Sequence, residues 1–581
     1  MLTRFFSGFR PPCDRSSLLW GLFLLTLLLS PNLLLALGGG PKSILTLPGL
    51  SFAVTFVSLS FLLLSLFRRP WVLFLWCLPL YALLPLELYF VLVYQHPSTV
   101  NIVASTLTAD PQEAIHYLGR LLLPALLALA LLVGLALFGV HVLRRRHCSL
   151  PAGARLFFLV MGCLGISVIV VKNLLKEGHD ADGAENQTAL NIERTFPIGF
   201  IYRLWQVFEE QRHLEGIQAR VAGFRFDARL LEPRDGPGLN LVLVIGESLR
   251  GPSLSLGGYG RETTPRLGHD PSLVAYSDAT AVASLTRTAV PLMISRATAA
   301  DPGRYLHEKS LLGLFAEAGF ATWWLSNQEQ LGVNNKTITA LASAADHVVY
   351  LNQLGLMQTP LDEALLPPLA GALKGPGPAH RFIVLHTMGN HWDYRYRYPE
   401  AFETWQPSLR TLAGYSISDP RIKTPMVNAY DNATLYTDHV LAEIIALLQD
   451  SPRPGVLVFM SDHGENLFDD ARLISGHAHD TSWDLRVPLL FWATPAYRER
   501  FAHTWQGIVA HREAPVSADN LFYTLAELGQ IDFPGQEQVL SVASPSFQPT
   551  PRYFLTIKGS RASTEDVLRQ DRAFAAQPGN G

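Results

Sequence analysis

Five apolar stretches, near residues 17–37, 47–67, 70–94, 118–143 and 155–175, crowd the first part of a 581-residue chain. Each is about the 20 residues that an α-helix needs to cross a bilayer, where every backbone donor and acceptor must be satisfied within the segment. The averages of 49% hydrophobic and 16% charged residues, with a formal net charge of -3, conceal a sharp change near residue 175. Before it the chain has the composition of a membrane domain, and after it that of a water-soluble one. The first stretch is too long, and too closely followed by a second, for a cleaved signal peptide.

Basic residues favour the cytoplasmic side of a membrane. Arg4, Arg10 and Arg15 precede the first stretch, Arg68 and Arg69 separate the second from the third, and Arg144, Arg145, Arg146 and Arg155 separate the fourth from the fifth. The intervening loops 38–46 and 95–117 carry only Lys42. Five spans put every cluster on one side, with the amino terminus in the cytoplasm and everything after residue 175 outside. Cys13, Cys77, Cys148 and Cys163 all precede that point, so the exported part forms no disulfide. Export permits disulfides without requiring them, and a domain of this size buries enough apolar surface to be stable unaided.

In the soluble part, strand-like runs at Leu241 to Ile245, Ala321 to Leu325, Phe382 to Leu385, Val456 to Phe459 and Pro488 to Trp492 alternate with helix-like patterns such as Leu311 to Ala318 and Val440 to Leu448. This alternation predicts a layered α/β sheet with helices on both faces. Two of the runs end abruptly in chemistry. Leu239-Asn-Leu-Val-Leu-Val-Ile-Gly-Glu-Ser248 stops at Glu247, and Gly455-Val-Leu-Val-Phe-Met-Ser-Asp-His-Gly-Glu465 stops at Asp462 and His463. Unbroken apolar runs read as strands covered on both faces, and ligands gather at the carboxyl ends of such strands. Between them, Ala283-Ser-Leu-Thr-Arg-Thr-Ala-Val-Pro291 offers Thr286 and Thr288. Such a stretch is either a helix N-terminus capped by a hydroxyl or a nucleophile presented to an anion.

Taken in order, Gly246-Glu-Ser-Leu-Arg250, Gly258-Tyr-Gly-Arg-Glu-Thr-Thr-Pro265, the Thr286 to Pro291 element, His386-Thr-Met-Gly-Asn-His391 and Ser461-Asp-His-Gly-Glu465 resemble the phosphoethanolamine transferases of Gram-negative bacteria. These are inner-membrane enzymes with a sulfatase-like periplasmic domain of the alkaline phosphatase superfamily. The resemblance implies a membrane domain of five helices at 1–175, bridging helices and a linker at 176–238, a catalytic domain at 239–545 and a tail at 546–581 expected to add little chemistry. It implies zinc held by Glu247, Asp462, His463 and Thr286 Oγ, a donor set that fits zinc and also suits manganese. Thr286 is preferred to Thr288 as nucleophile because its offset from Pro291 matches the family, and Arg287 is a candidate phosphate contact or simply exposed. No cysteine occurs in this element, so the sulfatase resemblance is of fold and not of reaction. His391 aligns with a substrate-side histidine, and His386 is read as structural. His477 is chosen over His479 as the further histidine, with three roles open: a second zinc, a phosphate contact or a general acid.

The implied reaction moves phosphoethanolamine from phosphatidylethanolamine to lipopolysaccharide lipid A or core, or to a periplasmic glycan, through a covalent phosphothreonine. The absence of cysteine from the exported part weakens lipid A as the acceptor, because some members with that activity carry disulfides there. A monomer without nucleic-acid partners is expected. Two other readings stand beside it: a lipoteichoic-acid-synthase-like glycerol phosphate transferase, and a non-catalytic membrane-anchored module on the same fold. Glu87, the one acidic residue in the spans, is either a partly hydrated carboxylate or a head-group contact. Glu113 and Arg120 are head-group contacts or helix caps. Phe196 to Phe208, aromatic-rich and carrying Arg203, is a helix on the membrane surface or one packed on the soluble domain.

Overall fold

Two prolines shape the amino-terminal part in a way the apolar pattern conceals. The first expected span divides into helices Arg15–Leu28 and Ser30–Gly38, bent by 61° at a break two residues before Pro31. The third divides at Cys77, two residues before Pro79, into Pro70–Trp76 and Leu78–Tyr94. A proline ring cannot donate to the helical ladder and clashes with the carbonyl of the preceding turn, so a helix breaks or bends just ahead of it. The computed structural model describes residues 14–38, 47–94, 96–108, 122–176, 192–231, 238–331, 335–353, 359–375, 380–412, 415 and 417–575. Arg4, Arg10, Cys13, Lys42, Glu113, Arg120 and residues 577–581 lie outside these. Among the described residues, Leu126–Arg145 and Ala152–Lys172 are long and apolar enough to cross a membrane alone, and up to four spans result if each bent pair counts as one. Five spans are therefore not established by helix length.

The chain falls into two compact units that divide at Glu209 and Glu210, inside the helix Ile198–Val221. In the first unit the basic loops share one end. Leu150 N–H donates to Arg68 O at 2.8 Å, Arg146 pairs with Asp14, and the Arg144 guanidinium lies 5.5 Å from the centre of the Trp71 ring. The reading of Glu87 as a partly hydrated carboxylate needs correction. Its carboxylate is fully buried, 2.8 Å from Arg203 Nη2, and also accepts from the Ser98 hydroxyl and from Ser98 N–H at 3.3 Å. The surface-helix reading of Phe196 to Phe208 changes with it. Phe196, Phe200 and Arg203 are buried among the membrane helices, while Ile201, Trp205 and Phe208 on the opposite face remain exposed. A buried guanidinium needs a buried carboxylate, and that pairing turns the helix inward.

The second unit is built on a seven-stranded sheet: β1 (Leu239–Gly246), β2 (Val274–Ala275), β3 (Ala321–Glu329), β4 (His347–Asn352), β5 (His380–His386), β6 (Gly455–Ser461) and β7 (Leu489–Ala493), in the order β2-β7-β6-β1-β5-β3-β4. From β6 to β4 all pairs are parallel, whereas β7 runs antiparallel to both its neighbours. Every residue of β1 and β6 is buried, as their uninterrupted apolar sequences predict. Alternate side chains point to opposite faces of a strand. Leu241, Leu243, Ile245, Val456, Val458 and Met460 therefore pack into one core with the helices Leu311–Glu317 and Leu521–Leu528. Val242, Val244, Leu457 and Phe459 pack into the other, against Leu366–Lys374 and Lys423–Gln449.

The edge strands β2 and β4 were not legible as apolar runs. Nor was the tail an appendage. Tyr553–Leu555 and Arg561–Ser563 pair as a hairpin, followed by a helix Thr564–Ala575, and the buried Arg552 ion-pairs with Asp278 at 2.7 Å and Glu565 at 2.6 Å.

Candidate metal centre and active site

Register places the first two ligand candidates side by side. In the β1–β6 ladder Gly246 is opposite Ser461, so the next residues, Glu247 and Asp462, leave the sheet together at its carboxyl edge. Gly246 is needed there, because a Cβ would come within 2.7 Å of the Phe459 ring. Glu247, Asp462 and His463 are each completely buried, and one ligand atom from each lies within 4.8 Å of the others. His463 Nδ1 is 2.8 Å from Gly464 O, so it carries the proton and leaves the Nε2 lone pair facing the site. That is the tautomer a metal-binding imidazole requires. Nε2 lies 3.4 Å from Glu247 Oε1 and 3.6 Å from Asp462 Oδ2.

Thr286 completes the cluster. It is the first residue of the helix Thr286–Met293, whose N-cap is Leu285 with no side-chain capping bond, so the Thr286 hydroxyl is not spent as a helix cap. Its Oγ donates toward Glu247, 3.2 Å from Oε1 and 3.1 Å from Oε2, and lies 3.1 Å from His463 Nε2. Arg287 is exposed, which fits the plainer of its two readings.

The electrostatics of this cluster do not close. Burial, reinforced by the Asp462 carboxylate, pushes the Glu247 carboxyl well above the usual carboxylate range, and burial pushes Asp462 up as well. Burial lowers His463 to about 3, so this imidazole is neutral and balances neither acid. Asp462 Oδ2 is buried with no hydrogen-bond partner. Two buried carboxylates, a correctly oriented imidazole and an orphaned oxygen are the environment that a divalent cation satisfies, and the donor set fits zinc.

A second group adjoins the first. His477 Nδ1 lies 3.1 Å from Glu465 Oε2, and the His477 ring is centred 4.4 Å from that of His463 and 6.4 Å from that of His391. His463, Glu465 and His477 again offer ligand atoms within 4.8 Å of one another. Burial alone would lower the His477 pKa, but the Glu465 carboxylate outweighs it and holds the imidazole up at about 9. His391 is lowered to about 3 by burial and by the charge of Arg397. His479 is exposed, with Nε2 3.2 Å from Ser475 O, so the structure brings His477 rather than His479 to the cluster. His386 is buried against Trp324, with both ring nitrogens unpartnered.

Sequence reasoning missed Glu465, Ser248 and Gln328. Ser248 Oγ donates to Glu247 Oε1 at 2.8 Å, and Ser248 N–H donates to Asp462 Oδ1 at 3.2 Å. Gln328 Nε2 donates to Glu247 Oε2 at 3.0 Å and to Thr387 O at 2.8 Å, locking the carboxylate's orientation. A signal existed: Gln328 follows the apolar part of β3 at the same sheet edge, where a polar residue is well placed to meet a ligand.

A family model described as Sulfatase matches residues 239–531, and one described as Phosphoethanolamine transferase EptA/EptB matches residues 56–181. Among curated proteins, phosphoethanolamine transferase EptC of Escherichia coli K12 is 30% identical over 330 residues, 55% of each chain. The Kdo(2)-lipid A phosphoethanolamine 7''-transferase of Salmonella typhimurium is 28% identical over 296 residues, 47% of this chain and 49% of that one. The chain thus spans about half the length of the curated relatives it matches. Among solved structures, the carboxy-terminal periplasmic domain of EptC from Escherichia coli in complex with zinc superposes with a TM-score of 0.53 at 27% identity, covering 60% of this chain and 98% of that one. With the strand-end carboxylates, the threonine and the neutral histidine converging on one point of this sheet, the chain belongs to the sulfatase family.

Proposed function

We propose that this protein transfers phosphoethanolamine from phosphatidylethanolamine to an envelope acceptor, lipopolysaccharide lipid A or core or a periplasmic glycan, through a covalent intermediate on Thr286. The observation that carries this reading is the Thr286 hydroxyl, 3.1 Å from both Glu247 Oε2 and His463 Nε2 at the point where two buried carboxylates face each other. Glu247, Asp462, His463 and Thr286 Oγ are the groups that would hold zinc, and manganese suits the same donors. When bound, the metal supplies Lewis acidity that favours an ionised threonine oxygen and offsets charge on the phosphoryl group.

Thr286 Oγ attacks phosphorus and its proton passes toward the Glu247 carboxylate. His477, held cationic by Glu465, gives a proton to the departing diacylglycerol oxygen as the phosphorus–oxygen bond to glycerol breaks. An acceptor hydroxyl or phosphate then attacks the same phosphorus from the side opposite Thr286 and passes its proton to the now neutral His477, while the bond from phosphorus to Thr286 Oγ breaks and Thr286 regains the proton held on Glu247. His391, its ring centred 6.4 Å from that of His477, would contact the phosphoryl oxygens, and His463, Glu465 and His477 offer an alternative to the general-acid role, a place for a second cation. Two in-line displacements give net retention at phosphorus.

The architecture around this site follows the charge pattern: five spans with a cytoplasmic amino terminus, a periplasmic catalytic domain and a monomeric enzyme of the inner membrane. The test is incubation of the purified full-length chain with labelled phosphatidylethanolamine or phosphatidylglycerol, followed by mass spectrometry of the peptide containing Thr286. A phosphoethanolamine adduct on Thr286 is expected. Transfer from phosphatidylglycerol alone would instead identify a glycerol phosphate transferase, and no adduct with either lipid would remove the enzymatic reading.

A further inference from the structure

The segment beyond residue 531, where the sulfatase match ends, is tied to both arms of the site. Leu555 N–H donates to Val282 O at 2.8 Å and Leu555 forms a bridge with Ala283, just ahead of the nucleophile Thr286. Ile557 N–H donates to Asp480 Oδ2 at 3.0 Å. The same Asp480 accepts from Ser284 Oγ at 2.7 Å, and Ala478 N–H donates to Ser284 O at 3.1 Å. Asp480 is therefore a three-way node joining the tail, the turn before Thr286 and the loop carrying His477. On the far side of that loop, Asp571 accepts from Ser482 N–H at 2.6 Å and pairs with Arg472 Nη1 at 2.7 Å. The tail itself is anchored by Arg552, only 4% exposed, through its ion pairs with Asp278 and Glu565.

We propose that the carboxy-terminal strap sets the distance between His477 and Thr286, with Asp480 and Asp571 as positioning residues that never touch the transferred group. The 473–482 loop is held from both sides by carboxylates, one bonded to a backbone N–H of the strap and one contributed by the strap helix. From within the domain the loop is also held by Asn466 Nδ2, which donates to Gly476 O at 3.0 Å, and by Glu465 Oε2, 3.1 Å from His477 Nδ1, and the strap adds the ties at Asp480 and Ser482. Second-sphere contacts of this kind govern a rate through geometry, and their loss commonly lowers activity by about one to two orders of magnitude.

This inference rests on the transferase reading for its kinetic arm, and a second arm is independent of activity. The full-length protein is assayed with labelled phosphatidylethanolamine as Asp571→Asn, in the unsubstituted and in the His477→Ala background. In the first, kcat should fall about tenfold with KM and zinc content retained, and in the second the added change should be under about twofold, because the partner being positioned is already gone. An equal fall in both backgrounds, or none in the first, would overturn the proposal in favour of a purely structural tail. Hydrogen exchange of residues 473–482 should accelerate in Asp571→Asn while β1 and β6 stay protected, and unchanged exchange there would overturn it whatever the activity. Ile557→Pro, which removes one backbone donor to Asp480, is the second variant and carries the same expectations. Absence of transfer by the unsubstituted protein counts against the transferase reading alone and leaves the exchange measurement to decide the strap.

Discussion

Glu87 in one unit and Glu247 in the other are both fully buried, and they differ in what surrounds the carboxylate. Glu87 meets Arg203 at 2.8 Å and two donors from Ser98, so its charge is matched by groups of the protein itself. Glu247 meets a second carboxylate, a neutral imidazole and a hydroxyl, with Gln328 and Ser248 donating to it. Removing a charge from water costs several kcal/mol unless a partner returns it. The first cluster is complete as it stands, whereas in the second two carboxylates face each other, and the zinc proposed above would return the charge that they lose. Depth alone therefore says little about a buried acid; the sign of its nearest neighbours separates a fastener from a site.

The largest expected effect is at the nucleophile. Thr286→Ala should abolish the covalent adduct and lower transfer by at least about 10³-fold, since it removes the hydroxyl proposed to attack phosphorus. Glu247→Gln sharpens the contrast because it should act in opposite directions with and without metal. Zinc affinity and transfer should fall by two orders of magnitude or so, while in chelator the variant should melt higher than the parent, with about 1–3 kcal/mol gained by removing one of two facing carboxylates. A lower melting temperature in chelator would mean that the two carboxylates are not in conflict.

The membrane cluster should respond in the reverse sense. Arg203→Met leaves Glu87 buried and unpaired, at a cost of about 3–5 kcal/mol in thermal unfolding, and the double variant Glu87→Met, Arg203→Met should recover most of it. Failure of the second change to rescue the first would point to a role for Glu87 beyond pairing. The smallest effect is expected of Gln328→Ala, which leaves Thr286 Oγ as the remaining donor to Glu247 Oε2. Zinc affinity should fall by about 10–100-fold with the fold intact, as measured by competition with a chelator of known affinity.

How much of this was legible follows from the range of each signal. The strand ends were readable because a buried parallel strand writes its burial into consecutive residues, and a charge at its end stands out against them. Glu247, Asp462, His463 and Thr286 were located by that route and by family resemblance together. The partner of Glu87 was not readable: Arg203 lies 116 residues away, in a segment whose aromatic face pointed toward a surface helix. The inner face of that helix is equally aromatic, and periodicity does not say which side turns inward. The breaks ahead of Pro31 and Pro79 were open to inspection, but hydropathy averaged over a window erases them. The tail was misjudged because its contribution is made by backbone donors and a few charged side chains, which leave little trace in composition.

Register in the β1–β6 ladder also has a consequence for how the protein comes into being. Ser248 and Asp462, bonded in the finished site, are 214 residues apart in the chain, with most of the sheet and the helix Lys423–Gln449 between them. A chain emerging from its amino terminus presents Glu247 long before Asp462 exists. Contacts so distant in sequence are made late, after the loop between them has been closed. The two carboxylates thus meet only once the sheet between them has formed, and a cation held by both, as proposed above, would be captured late, a chemical receipt that the whole sheet is in place.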